Sequence, residues 1–273
     1  MGEISSLSAF VDNYIFCFRN QIERESQIFI VDPGDEGPVS EWLAGVASES
    51  DLSPNAPLHI LLTHKHPDHI GGLAQLWAWL KADDRFKSSP ISIYSGELTR
   101  KYAKQVWPEM ETIWFGQWRE VRDGEKICGD LFQVIVTPGH TLDHVSYYSQ
   151  DLKALFCGDV LFGLGCGRLF EGTPEMMMDT LHKIAALPPT TQVFCAHEYT
   201  ETNFHFAKKI LPEAELAQVR TELDRRWREK NKTIPSQLDF EIKFNPFLRE
   251  SNLKAWTELR QARNHFSAVR ENL

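Results

Sequence analysis

The chain has 273 residues, 42% hydrophobic and 25% charged, proportions that fit a folded protein with one large domain or one domain plus a smaller one. A formal net charge of -9 argues against a protein devoted to a nucleic-acid backbone, and no apolar run approaches the ~18 residues of a membrane span. Five cysteines, an odd number without CxxC spacing, fit reduced buried thiols better than a disulfide framework. Met1 to Ser6 shows no basic stretch leading into an apolar one, so a cytoplasmic protein is expected.

Short apolar runs and turn signals alternate along the first 200 residues. Tyr14 to Phe18 and Gln27 to Val31 read as strands, the second ended by the turn residues Asp32-Pro33-Gly34. His59 to Leu62 reads as a buried strand. Ile70 to Leu80 reads as a helix with Ile70, Leu73, Leu76, Trp77 and Leu80 on one face. Between them lies Thr63-His64-Lys65-His66-Pro67-Asp68-His69, with three imidazoles and one carboxylate in close succession. Such donors suit zinc, iron and manganese. In an extended loop His64 and His66 project to the same side and can share one metal. Asp68 and His69, met as the chain turns into the helix, point elsewhere and are available to a second. Gly71 and Gly72 let backbone crowd close to the loop.

Further strands are expected at Ile91 to Tyr94, Phe132 to Val136, Val145 to Tyr148, Ala154 to Cys157 and Gln192 to Cys195. Pro174 to Leu187 reads as a helix with Thr173 as N-cap and Pro174 at its first position. Beyond about residue 200 the strand signals stop. Glu201 to Ile210, Glu213 to Lys230 and Leu253 to Arg263 read as helices, with Pro235 and Pro246 breaking the segment between the last two. This order predicts an α+β protein: residues 1–185 as the catalytic part and 186–273 as a smaller, mainly helical part, the boundary falling within 170–200.

Three later strands end on potential ligands: Val134 to Val136 leads to His140, Leu155 to Cys157 to Asp159, and Val193 to Cys195 to His197. Singly, a histidine after a strand is more often structural. Together with the first cluster they complete two coordination spheres, His64, His66 and His140 for one metal and Asp68, His69 and His197 for the other. Asp159, with two oxygens, bridges them.

This pattern resembles the metallo-β-lactamase superfamily, whose fold is a four-layer αβ/βα sandwich. The segments Thr137-Pro138-Gly139-His140-Thr141, Gly165-Cys166-Gly167-Arg168-Leu169-Phe170, Cys195-Ala196-His197-Glu198-Tyr199-Thr200 and Asn245-Pro246-Phe247-Leu248-Arg249 narrow the likeness to glyoxalase II, the hydroxyacylglutathione hydrolases, of bacterial type. The resemblance implies a thioesterase that converts S-D-lactoylglutathione to D-lactate and glutathione through a metal-bridging hydroxide, the second step of methylglyoxal detoxification. It implies two divalent ions, zinc first with iron or manganese as alternatives, and Asp68 and Asp159 as catalytic carboxylates. It assigns Arg168, Phe170, Tyr199 and Arg249 to glutathione, His144 to the surroundings of the ligands, and loop-fixing roles to Glu171 and Glu198. A monomer with no nucleic-acid or membrane partner is expected.

Two positions depart from the family pattern: Asp143 where Gly is usual, read here as facing solvent, and Phe170 where many eukaryotic members carry Tyr. Lys254 is the nearest basic residue after Arg249 without a firm equivalent. His59, His182, His205 and His265 are read as structural or surface histidines, and the eight tryptophans as packing residues. The rival readings are a persulfide dioxygenase-like enzyme, with one iron acting on a glutathione derivative, and a non-catalytic metal-binding protein. The complete second-metal set favours the hydrolase over both.

Overall fold

The computed structural model describes residues 3–46, 55–110 and 117–267. Two units emerge from the packing, Met1–Val136 with Asp143–Asp151, and Thr137–Leu142 with Leu152–Leu273.

In the first unit, strands β1 (Ser5–Ala9), β2 (Asn13–Ile22) and β3 (Glu25–Val31) form an antiparallel meander, and β4 (Leu58–Leu61), β5 (Ile91–Ser95) and β6 (Trp118–Glu120) extend it in parallel in the order β1-β2-β3-β4-β5-β6. Parallel neighbours need crossovers. Helices α1 (Glu36–Val46), α2 (Pro67–Ile70), α3 (Leu73–Ala82) and α4 (Glu97–Val106) lie in those connections. Alternation sends Ile28, Ile30, Leu58, Ile60, Ile91 and Ile93 into one core with Val39 and Leu43 of α1 and Leu73, Leu76 and Leu80 of α3. Each buried aliphatic contributes about 1.5–3 kcal/mol.

The opposite face is aromatic. Phe18 stacks on Phe29 at 5.0 Å, and Phe132 meets both edge-on. Phe132 lies on β8 (Phe132–Val136), which forms an antiparallel ribbon with β7 (Lys126–Ile127) and β9 (Val145–Ser149). His59 stacks on Phe29 at 4.9 Å, its Nε2 is 2.7 Å from Gln27 Oε1, and burial pushes its pKa down to about 4. This histidine is structural, as its sequence context implies.

The parallel register sets where the connecting loops emerge. Val31 pairs with Leu61 and Leu61 with Tyr94, so the residues just past β3 and β4 come out side by side at one sheet edge. Asp32 N donates to Leu61 O at 3.0 Å, and Leu62 N to Tyr94 O at 2.9 Å. The helix expected over Ile70 to Leu80 is divided: one turn ends at Ile70 and α3 begins at Leu73. Gly72 lies against the Pro33–Glu36 backbone, where a Cβ would come within 2.7 Å of Asp35 C and Glu36 N, so the chain is pinned between the two pieces. Helices α1 and α4 were not legible in the sequence because Gly37, Pro38 and Gly45 interrupt the α1 pattern and α4 is strongly charged.

In the second unit β10 (Ala154–Gly158) pairs in parallel with β13 (Gln192–Cys195), which pairs antiparallel with β14 (Ser236–Gln237). A hairpin of β11 (Leu161–Phe162) and β12 (Gly165–Cys166) follows β10. Helix α5 (Pro174–Ala185) starts as its sequence predicts, Thr173 Oγ1 accepting from Met176 N. Helices α6 (Thr200–Ala207), α7 (Glu213–Lys230), α8 (Leu238–Phe244), α9 (Pro246–Arg249) and α10 (Leu253–Asn264) complete the unit. Its core gathers Leu164, Phe204, Leu211, Val219, Leu223 and Phe244. All five cysteines are buried and free. Trp77, Trp118 and Trp256 are buried, whereas Trp227 is 51% exposed and is not a packing residue; Trp114 lies outside the described residues.

Asp143 does not simply face solvent. Its Oδ2 accepts from Thr99 N at 2.6 Å and from Thr99 Oγ1 at 2.9 Å. Thr99 stands in the first turn of α4, whose N-cap is Gly96, a residue with no side chain to offer. The carboxylate therefore caps α4 from a distant part of the chain, at the positive end of the helix dipole. Asp143→Gly is expected to lower unfolding stability by ~1 kcal/mol while chelator-titrated metal affinity stays at the wild-type value. A loss of metal affinity without a stability change would contradict this role.

Candidate metal centre

In the first unit the ligand loop hangs from the end of β4. Asp32, buried and in the left-handed region at φ 52, organises it. One oxygen accepts from Thr63 N at 2.8 Å; the other accepts from Thr63 Oγ1 at 2.7 Å and lies 2.9 Å from His69 Nδ1. Because the Thr63 hydroxyl proton goes to Asp32, its oxygen takes the proton of His64 Nδ1, 3.1 Å away. His69 Nδ1 is likewise the protonated nitrogen beside the Asp32 carboxylate. In each ring these contacts hold a proton on Nδ1 and leave Nε2 as the atom available to a cation. The sequence did not reveal these partners; Asp32 stands there as a turn residue in a segment that fits the family, without its hydrogen-bond role.

The donor atoms lie close. His64 Nε2 and His66 Nδ1 are 2.9 Å apart, and His69 Nε2 and Asp68 Oδ2 are 3.7 Å apart. The donors of His64 and His69 fall within 4.8 Å. Asn13 Nδ2 donates to Asp68 Oδ2 at 3.0 Å, a contact that ties the start of β2 to the ligand loop. Gly34 allows the approach of the loop: a Cβ there would stand 1.8 Å from Asp68 O. His144, also in this unit, is buried and stacks on His64 at 5.0 Å.

In the second unit Asp159 stands between His140 and His197. His140 Nε2 is 3.5 Å from Asp159 Oδ2 and His197 Nε2 is 3.4 Å from Asp159 Oδ1. These separations exceed a normal hydrogen bond. They match the ~3.3 Å between two donors placed ~2.0–2.1 Å from one tetrahedral cation. His140 Nδ1 lies 2.9 Å from the Arg168 carbonyl, which fixes the same tautomer as in His64 and His69. All three ligands are buried. Donor type, spacing and tautomer fit divalent ions in both units.

Around these donors, Tyr199 stacks on His197 at 4.8 Å with planes 5° apart, and Phe162 meets both rings edge-on. Phe170 is 63% exposed and contacts the His140 ring edge-on at 5.2 Å. Glu171 accepts from Leu142 N, and Glu198 from Thr233 N and Oγ1, so both fix loops as their motifs suggest. Arg168 is exposed. Arg249 lies at the end of α9, paired with Glu215. Lys254 is largely exposed, 4.0 Å from Glu258.

Two residues escaped the sequence reading. Arg260 and Arg263 follow the buried Trp256 at helical spacings of four and seven on α10, which turns them to the same side. Arg260 is only 4% exposed and donates to Cys166 O at 2.5 Å. Arg263 donates to Asn203 Oδ1 at 2.9 Å. Burial first, then the neighbouring cations Arg260 and Arg168, pulls the Arg263 guanidinium below its ordinary pKa, and Tyr199 is a further neighbour. Arg260 and Arg263 thus bring two cations from one helix into the second unit, with Arg168 as a further electrostatic neighbour of Arg263.

Residues 22–197 match the model of the metallo-beta-lactamase superfamily, and 198–272 that of the hydroxyacylglutathione hydrolase C-terminus. A hydroxyacylglutathione hydrolase of Vibrio parahaemolyticus is 42% identical, covering 92% of this chain and 88% of its own. One of Idiomarina loihiensis is 39% identical, covering 90% and 85%. A metallo-beta-lactamase structure from Staphylococcus aureus superposes with a TM-score of 0.63 at 18% identity, over 98% of this chain and 68% of that one, and shows the shared α+β sandwich fold. The histidine and aspartate donors, the fold and the match of both halves of the sequence agree, and the chain belongs to the hydroxyacylglutathione hydrolases, the glyoxalase II family of the metallo-β-lactamase superfamily.

Proposed function

We propose that the protein hydrolyses S-D-lactoylglutathione to D-lactate and glutathione, the second step of methylglyoxal detoxification. The observation that carries this reading is the pairing of buried imidazoles of fixed tautomer with Asp68 and Asp159, in a chain whose relatives are named for this activity. His64, His66 and His140 would hold one divalent ion and Asp68, His69 and His197 the other, with Asp159 serving both. Zinc is the first candidate and iron or manganese the alternatives. When bound, such ions bring the pKa of water towards neutrality and polarise a carbonyl oxygen.

The chain's own groups supply the rest. Asp32, Thr63 and the Arg168 carbonyl hold the Nδ1 protons of the ligand imidazoles and aim their Nε2 atoms. Asn13 holds one Asp68 oxygen and so fixes the carboxylate that orients the attacking water. Cleaving the thioester C–S bond releases a thiolate, and a thiol of pKa ≈ 8.5 needs little acid assistance to leave. Arg168, Arg263 and Tyr199 take a carboxylate of the glutathione peptide, and Phe170 lines the approach to His140. Arg249 contributes to the second carboxylate only when its pair with Glu215 opens. In this reading residues 1–185 are catalytic and 186–273 bind substrate, the boundary lying within 170–200 and His197 serving the metals. No helix among the described residues is long and apolar enough to cross a membrane. We read the protein as a monomer of the cytoplasm, a reducing compartment that its buried free thiols suit.

Thiol release from lactoylglutathione by metal-replete protein tests the activity, and oxygen uptake in its place would favour a dioxygenase. Elemental analysis should give two metals per chain. Asp159→Asn should lower that content and reduce kcat by about 100-fold or more, since outer partners alone are worth ~10- to 100-fold. Full activity with a single metal would refute the binuclear centre.

Arg168→Ala and Arg263→Ala should each cost ~1.5–3 kcal/mol in kcat/KM for lactoylglutathione, the value of a hydrogen bond to a charged group. Arg249→Ala should cost less. Small thioesters lacking the peptide should be cleaved at wild-type rates by all three variants. If both substrate classes fall together, these arginines act on structure or chemistry and not on recognition.

Asp32→Asn keeps the shape but removes the charge beside His69. Metal affinity is expected to drop by ~10- to 100-fold, measured by chelator competition. Unchanged affinity would show that the tautomers are fixed by other means.

A further inference from the structure

The Asn-Pro-Phe segment lies far along the chain from every proposed ligand, yet its first residue reaches the element between two of the parts that matter. Asn245 is fully buried. Its Nδ2 lies 3.1 Å from Phe162 O, 3.0 Å from Gly165 O and 3.1 Å from Glu241 Oε2. Its Oδ1 accepts from Phe247 N at 3.0 Å and caps α9. Glu241, also fully buried, accepts from Leu164 N at 2.8 Å. Both side chains therefore grip the turn of the β11–β12 hairpin.

That turn needs a grip. Its two central residues are Gly163 and Leu164, and Leu164 sits at φ 57, a left-handed conformation that a branched aliphatic residue adopts at a cost of about 1–3 kcal/mol. Glycine is the usual residue at such a position. The hairpin is short, pairing only Leu161 with Cys166 and Phe162 with Gly165. Asp159 stands just before it and Arg168 just after it. The two ends are locked together: Gly167 N donates to Val160 O at 3.0 Å, and a Cβ on Gly167 would lie 1.9 Å from Asp159 O. Arg168 O in turn orients His140. A displacement at the turn is thus carried to a metal-binding carboxylate and to the tautomer-setting contact of a metal-binding imidazole.

We propose that Asn245 and Glu241 are positioning residues, which hold Leu164 in its left-handed conformation and through the hairpin set the geometry of Asp159 and the orientation of His140. The inference rests on the metal-binding reading above but not on the substrate. It also explains why the helical end of the chain carries the Asn-Pro-Phe motif, since the residue at the junction of α8 and α9 must have an amide for the hairpin and an oxygen for the cap.

Chelator competition on the full-length protein tests it, with the thermal melt of the metal-stripped form as control. Asn245→Asp keeps the capping oxygen and removes both donors. Metal binding should weaken by ~10- to 100-fold, with KM for lactoylglutathione changed far less than kcat at limiting metal. A folded Asn245→Asp protein that binds metal within twofold of wild type overturns the proposal. Should Asn245→Asp not fold, Glu241→Gln and Glu241→Leu decide: the first keeps an acceptor for Leu164 N and should retain affinity, the second should lose it, and equal behaviour overturns the proposal. Wild-type protein that binds two metals but leaves lactoylglutathione intact would refute the substrate reading and leave these metal measurements decisive for the clamp.

Discussion

The Asp32 carboxylate is the constraint on which the first half of the site depends. Imidazole binds a cation only through an unprotonated nitrogen, and in neutral histidine either nitrogen can carry the proton. Asp32 resolves that choice for His69 directly and for His64 through the Thr63 hydroxyl. It does so from a position that the sheet dictates. The parallel register of β3 and β4 brings the first residue past each strand to the same edge, so the carboxylate and the ligand loop meet without any long-range adjustment. The close passage of Gly34 along Asp68 and of Gly72 along the Pro33–Glu36 backbone then leaves the loop little room to rearrange.

The second unit meets the same requirement with different material. A backbone carbonyl, Arg168 O, sets the His140 tautomer, and the carbonyl is held by the hairpin that links it to Asp159. The C-terminal helices reach this hairpin repeatedly. Glu241 and Asn245 engage its turn, and Arg260 donates to the Cys166 carbonyl at its end. The same helix that supplies Arg260 supplies Arg263, beside Arg168 and Tyr199. The helical part of the chain therefore supports the backbone of the hairpin that carries Asp159 and Arg168, and brings the Arg263 cation to the same unit. Of these guanidinium groups only Arg260 is buried, and its charge is met by the Cys166 carbonyl.

Residues with periodic or positional signatures were legible in the sequence. The core strands, the N-cap at Thr173, the His64–His69 run and the strand-terminal His140, Asp159 and His197 all stand where local pattern places them, because side-chain alternation and strand ends are properties of a few consecutive residues. The same local logic misjudged Asp143, which caps a helix more than forty positions away in sequence, and it joined α2 to α3 because a hydrophobic stripe does not record that two glycines are pinned by a distant backbone.

By itself the sequence determined the donor inventory: which atoms can bind a cation, on which loops, and in a fold whose strands end near them. Only the tertiary structure decided which nitrogen of His64, His69 and His140 is basic, that Asp32 and Arg168 O make that choice, that Arg260 and Arg263 turn inward, and that Asn245 meets the β11–β12 hairpin. The physical reason is that these outcomes depend on hydrogen bonds and close approaches between segments tens of residues apart. A polar side chain's partner is fixed by the packing of the whole unit, and no short window of sequence contains it.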